Sequence, residues 1–228
     1  MHLTLQNKCC LILLASGFAI VIPTLNTVWS LFGLMLIGGA IILFLIYYEQ
    51  RWIKREYLKN GLTASIILAI FYGVYEYIFF DATWNKFFHV ADWFVQVFGD
   101  KYSYWAFMTV LNFSIVFVFS RKSLALSLSS IPLFAVNEDL WYWITKSIHE
   151  LRYVFPVGNW FDQRFPFLQG LGEPLPILPE WPRFYFVGWL LVSILLVIQF
   201  KNYQERKFLL ALSIFIAASA LCVLFAIV

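Results

Sequence analysis

Long apolar blocks recur along this chain, and they leave it few ways to fold. Near residues 9–23, 28–48, 62–80, 103–120, 123–144, 183–200 and 208–228 the sequence runs almost without charge. About 20 apolar residues in a helix cross the hydrocarbon of a bilayer. A lipid-facing segment must satisfy its own backbone hydrogen bonds, and a helix does so. The alternation of a barrel strand is not seen. Of the 228 residues, 62% are hydrophobic and 13% charged, against about 25% charged in soluble domains. The expected fold is all-α: one polytopic membrane domain, 1–228, with about seven transmembrane helices. An extra amphipathic helix is expected near 82–98, and a long loop near 145–182. That loop holds six of the eight prolines, interleaved with Trp160 and Trp181, and reads as a lid packed on the membrane face. The first block, behind Lys8, also fits a signal peptide. A retained span is the favoured reading, because no clear small-x-small cleavage site precedes a polar start.

The basic residues set the orientation. The loops 49–60, 121–122 and 201–207 carry nine Lys and Arg between them. With seven spans all three loops fall on one side, which the positive-inside rule makes cytoplasmic. The expectation is a multi-pass cell-membrane protein with its N-terminus inside and its C-terminus outside. Six spans remain if the first is cleaved. A net charge of +3, spent in short loops, argues against nucleic-acid binding. Cys9, Cys10 and Cys222 suggest neither a disulfide framework nor a zinc cluster.

Against this apolar background, acids inside the spans stand out. Val74-Tyr75-Glu76-Tyr77-Ile78-Phe79-Phe80 is echoed by Val136-Asn137-Glu138-Asp139-Leu140-Trp141-Tyr142. Both read Val-x-Glu-x-(Ile/Leu)-aromatic-aromatic, on spans expected to run in the same direction. The echo hints at a parallel internal duplication around 62–98 and 123–150. A carboxylate within a span costs on the order of 2.5–3.5 kcal/mol on insertion scales and usually faces a partner or cavity. Glu76, Glu138 and Asp139 are therefore the candidate catalytic acids. Trp and Tyr beyond Glu138 place it about one turn below the interface. Asn85, His89, Asp92 and Gln96 form a polar stripe on the helix 82–98. That stripe fits an interfacial helix facing water, or a helix folded back to aim His89 and Asp92 at the two glutamates. His149 follows the second stretch as His89 follows the first. His89, Asp92, Glu138 and His149 are thus a candidate divalent-metal set, although the Glu-x-x-His spacing of dinuclear bundle sites is absent. Pro132 is expected to break the fifth span six residues before Glu138.

The two acidic stretches resemble the Pro-x-Glu-Glu-x-x-Phe-Phe motif of the membrane-embedded lycopene cyclases. Tyr75-Glu76-Tyr77-Ile78-Phe79-Phe80 is similar to the Glu-Glu-Tyr-Leu-Phe-Phe part, and Asn137 to Trp143 to a second copy. Neither copy has the proline, and the first has one acid where the motif has two. The resemblance implies acid-catalysed cyclisation of an apolar polyene in a fold of similar length and span count, with the carboxyls as proton donors or cation stabilisers.

The residues support a related reading without the family. An acid among aromatic faces, which stabilise cations, suits chemistry on a lipid or isoprenoid arriving from the bilayer. The leading expectation is an integral membrane enzyme acting on a lipid-soluble substrate, with membrane lipids as its other partners. The acids would be Glu76, Glu138 and Asp139, assisted by His89 and Asp92. A second reading is a non-enzymatic lipid-binding, transport or assembly subunit whose acids form structural hydrogen bonds. A third is a metal-dependent membrane hydrolase. The sequence contains no Gly-x-Ser-x-Gly, His-Glu-x-x-His, P-loop or dinucleotide fingerprint. The last span has no lysine for a retinal Schiff base, and the histidines are too few for a desaturase.

Overall fold

The computed structural model describes residues 4–25, 27–49, 52–78, 101–152, 173–174, 181–201 and 205–227. Over these residues the protein is all-α, with seven helices. They are α1 (Leu5–Val21), α2 (Val28–Glu49), α3 (Arg55–Glu76), α4 (Lys101–Phe119), α5 (Leu124–Glu150), α6 (Arg183–Lys201) and α7 (Glu205–Ile227). Three stretches are long and apolar enough to cross a membrane: Trp29–Glu49, Arg55–Glu76 and Arg183–Phe200. Leu5–Val21, Ser103–Phe119 and Phe208–Leu221 are shorter apolar helices. The amphipathic helix expected at 82–98, with His89 and Asp92, lies outside the described residues, as does most of the loop 153–180.

Each apolar block becomes a helix, but two boundaries move and an expected break is absent. α3 starts at Arg55 rather than near 62, because Arg, Glu, Lys and Leu are good helix formers at a polar end. α5 runs on to Glu150, about two turns past the expected end at 144. Lys146 and Glu150, one turn apart and 4.0 Å at closest approach, are compatible with continued helix rather than loop. Pro132 does not break α5, which continues through it. The single missing amide leaves one carbonyl without its helical partner, which membrane helices tolerate where neighbouring groups compensate.

The backbone groups into two compact units, Arg55–Phe155 and the remainder, Met1–Lys54 with Pro156–Val228. In the remainder, α1 and α2 approach closely through facing glycines. A β-carbon added at Gly17 would sit 2.7 Å from the carbonyl oxygen of Gly33, and one at Gly33 would sit 2.8 Å from that of Gly17. α6 opens on an aromatic group. The rings of Trp181, Tyr185 and Trp189 lie 5.7 to 6.0 Å apart by centroid.

The unit Arg55–Phe155 holds α3, α4 and α5. The face that α3 buries is Leu58, Gly61, Ser65, Ala69 and Gly73, four of them small and four residues apart. Its exposed residues include Ile66, Ile67 and Phe71, the last two about 60% exposed. Small residues inside and large apolar ones outside invert the pattern of a water-soluble helix. They match membrane helices, which associate through small residues while lipid solvates the outer face. Gly61 packs on Leu126, Gly73 on Glu138 and Trp141, and Tyr77 on Tyr142. Positions on α3 and α5 thus rise together, and the two helices run parallel. α4 runs against both, with Gly61 near Val116 and Ala69 clustered with Tyr104 and Met108.

A buried polar bridge ties the three helices at mid-height. Ser65 Oγ donates to Asn112 Oδ1 at 2.9 Å, and Asn112 Nδ2 donates to Ser130 Oγ at 3.0 Å. All three residues are fully buried. Ser130 passes its own proton to the carbonyl of Ser127 at 2.8 Å, so each member of the bridge is engaged. Ser123 caps α5 by accepting from the Leu126 amide at 3.1 Å. The turn before it, Arg121-Lys122, has positive φ at both residues, 55° and 74°.

Candidate functional site

The parallel pairing of α3 and α5 brings the two sequence echoes together. Gly73 lacks a side chain where the α5 main chain passes. An added β-carbon would meet the carbonyl of Glu138, the Trp141 β-carbon at 2.8 Å and the Tyr142 amide nitrogen at 2.9 Å. One turn further, the carboxyl of Glu76 lies beside that of Glu138, close enough for the two to interact. Asp139, next along α5, lies within electrostatic reach of Glu138. All three acids are half-buried. Two carboxyl groups this close can share a hydrogen bond only when one of them carries a proton.

Tyrosines surround it. The buried Tyr104 of α4 faces both Glu76 and Glu138, and also Tyr72 and Tyr75 of α3. The rings of Tyr72 and Tyr75 lie 6.1 Å apart, edge to face, and Phe71 stacks on Tyr75 at 6.0 Å. An acid pair edged by aromatic faces can deliver a proton and then stabilise a nearby cation.

The remaining candidates fall elsewhere. His149 lies in the last turn of α5, where its Nδ1 is hydrogen-bonded to the hydroxyl of Tyr77 at 2.7 Å. Tyr77 is buried, with its ring edge-on to Tyr142 at 5.6 Å. Eleven residues of continuous helix separate His149 from Glu138, about 16 Å at 1.5 Å per residue. The two cannot both reach one metal ion at bond lengths near 2 Å, so the expected set of His89, Asp92, Glu138 and His149 does not close around one ion in this arrangement. Among the described residues no three His, Cys, Asp or Glu group to hold a metal. His89 and Asp92 lie outside those residues.

Two features of the site were not read from the sequence. Tyr104 sits one helical turn into α4, in a block with no charge to mark it. Asn112 carries a signal of its own, a lone amide in mid-span at the level of Ser65 and Ser130. Compared with known proteins, the chain matches no family, no curated protein and no solved structure.

Proposed function

We propose that this protein is an integral membrane enzyme whose Glu76–Glu138 pair supplies the proton for acid–base chemistry on a lipid-soluble substrate. All seven helices cross the bilayer in this reading, with the cationic turns in the cytoplasm and the acid pair toward the outer leaflet. The approach of the two carboxyls from separate helices carries the proposal. Two acids brought from separate helices, 62 positions apart, hold a labile proton among aromatic rings. Exposed side chains on the same helices include Phe71, Phe107 and Val110, an apolar approach for a substrate arriving from lipid. Glu138 or Glu76 donates the proton, Asp139 biases the pair by its charge, and the rings of Tyr72, Tyr75 and Tyr104 face the developing cation. Polyene cyclisation, the activity of the lycopene cyclases, is one reaction of this type.

The close packing at Gly73 favours a second reading. The main chains of α3 and α5 touch at the level of the acids, so the pair also suits a clasp between helices in a non-enzymatic subunit. Solvent deuterium separates the two. Membranes containing the protein are incubated in heavy water, and extracted lipids are examined by mass spectrometry. The enzyme reading expects a lipid species carrying deuterium on carbon that is lost with Glu138→Gln. A lipid profile unchanged between active and variant membranes overturns it and leaves the clasp.

A further inference from the structure

One end of the unit Arg55–Phe155 gathers cations from two distant stretches of sequence. α3 begins there with Arg55 and Lys59, and the turn joining α4 to α5 contributes Arg121 and Lys122. Two contacts hold the two stretches together. The Arg121 guanidinium lies over the Tyr57 ring, 5.3 Å from its centroid, and Gly61 packs on Ser120 and the Val116 carbonyl. All four cations are exposed, with Glu56 beside them. Two of the three helices start at this end, and their dipoles add partial positive charge.

The turn is costly in a way that points to the charges themselves. Arg121 and Lys122 both take the left-handed backbone that suits glycine or asparagine. The positive-inside rule accounts for cations on this side but not for placing them on a backbone that disfavours them, and such strain points to a role. Directly beside the turn, Val118, Phe119 and Leu124 are exposed by 69%, 55% and 40%. A soluble anion would meet only the cations. A lipid meets both features, with its headgroup on the charges and its chains along the apolar flank.

We infer that this end of the unit binds the phosphate headgroup of an anionic membrane lipid through Arg121, Lys122, Arg55 and Lys59. Juxtamembrane cations attract anionic lipid at roughly a fivefold gain in affinity per charge. The inference rests on membrane residence and not on the acid-pair chemistry, so either stands if the other fails.

The test places the full chain in phosphatidylcholine nanodiscs and titrates in phosphatidylglycerol, following retained lipid by native mass spectrometry and the unfolding temperature. The protein is expected to retain phosphatidylglycerol in preference to phosphatidylcholine and to unfold at higher temperature with it. Arg121→Gly/Lys122→Gly relieves the backbone while removing two charges. It is expected to stay folded and to lose roughly twenty-five-fold in phosphatidylglycerol affinity. Should that variant fail to fold, Arg55→Gln/Lys59→Gln removes two charges without touching the turn and is expected to lose the same preference. Equal retention of both lipids by the unaltered protein overturns the inference, as does undiminished phosphatidylglycerol binding in a folded variant. Inorganic phosphate is added separately to phosphatidylcholine nanodiscs. Stabilisation as large as that by the lipid would assign the site to a soluble anion and also overturn it.

Discussion

Residues with the smallest side chains carry the tightest contacts. Gly73 lets the α5 main chain pass beside α3 at Glu138. Gly73→Ala is therefore expected to destabilise by about 1–3 kcal/mol, as overpacking does. Gly38→Ala, where an added methyl meets nothing within 4 Å, should be neutral or stabilising by up to about 1 kcal/mol. Thermal unfolding of both variants in one membrane mimetic checks the contrast, and equal shifts would contradict the packing. Asn112 joins α3 to α5 through Ser65 and Ser130. Interhelical hydrogen bonds within membranes average about 0.6 kcal/mol, so Asn112→Leu is expected to destabilise by about 1–2 kcal/mol. An unfolding midpoint unchanged by that substitution would remove the bridge as a stabilising feature. Glu76 and Glu138 were legible from sequence because an acid in an apolar run has few bland explanations. Asn112 and Tyr104 were not, because an amide or phenol is inexpensive enough to sit in a span without demanding a reason.

Helices were legible as elements because lipid removes most alternatives, so an apolar block of span length becomes a helix. Their ends were not. Residues such as Arg55, Lys59, Lys146 and Glu150 are equally at home in loop and in helix, and hydropathy cannot separate the two. The consequence is largest for α5. Its 27 residues make a rod of about 40 Å, longer than the roughly 30 Å of bilayer hydrocarbon. Glu138 therefore lies near its middle rather than one turn from its end. The last turn of α5 is held to the end of α3 by the Tyr77–His149 hydrogen bond. Tyr77→Phe keeps the ring against Tyr142 and removes that bond, so a loss of about 0.5–1.5 kcal/mol is expected. Hydrogen exchange should rise in the last turn of α5 and stay level near Ser130. Faster exchange throughout the helix would show that the bond is not local in effect.

At the scale of the whole molecule, the charge pattern of the loops is the main guide to topology. On the proposed topology Arg121-Lys122 and Leu151 lie on opposite sides of the membrane, with α5 crossing between them. In a background with Cys9, Cys10 and Cys222 replaced by serine, a cysteine at Lys122 is expected to react with a membrane-impermeant thiol reagent only from the cytoplasmic side. A cysteine at Leu151, which is 93% exposed, should react only from outside. Labelling of both from one side would mean that α5 does not cross. The account depends most on a proton held between two acids from separate helices. Infrared spectroscopy of the reconstituted protein tests it most directly, through the carbonyl stretch of a protonated carboxylic acid. One such band is predicted to vanish in both Glu76→Gln and Glu138→Gln. A spectrum without that band, or a band indifferent to both substitutions, would contradict the shared proton.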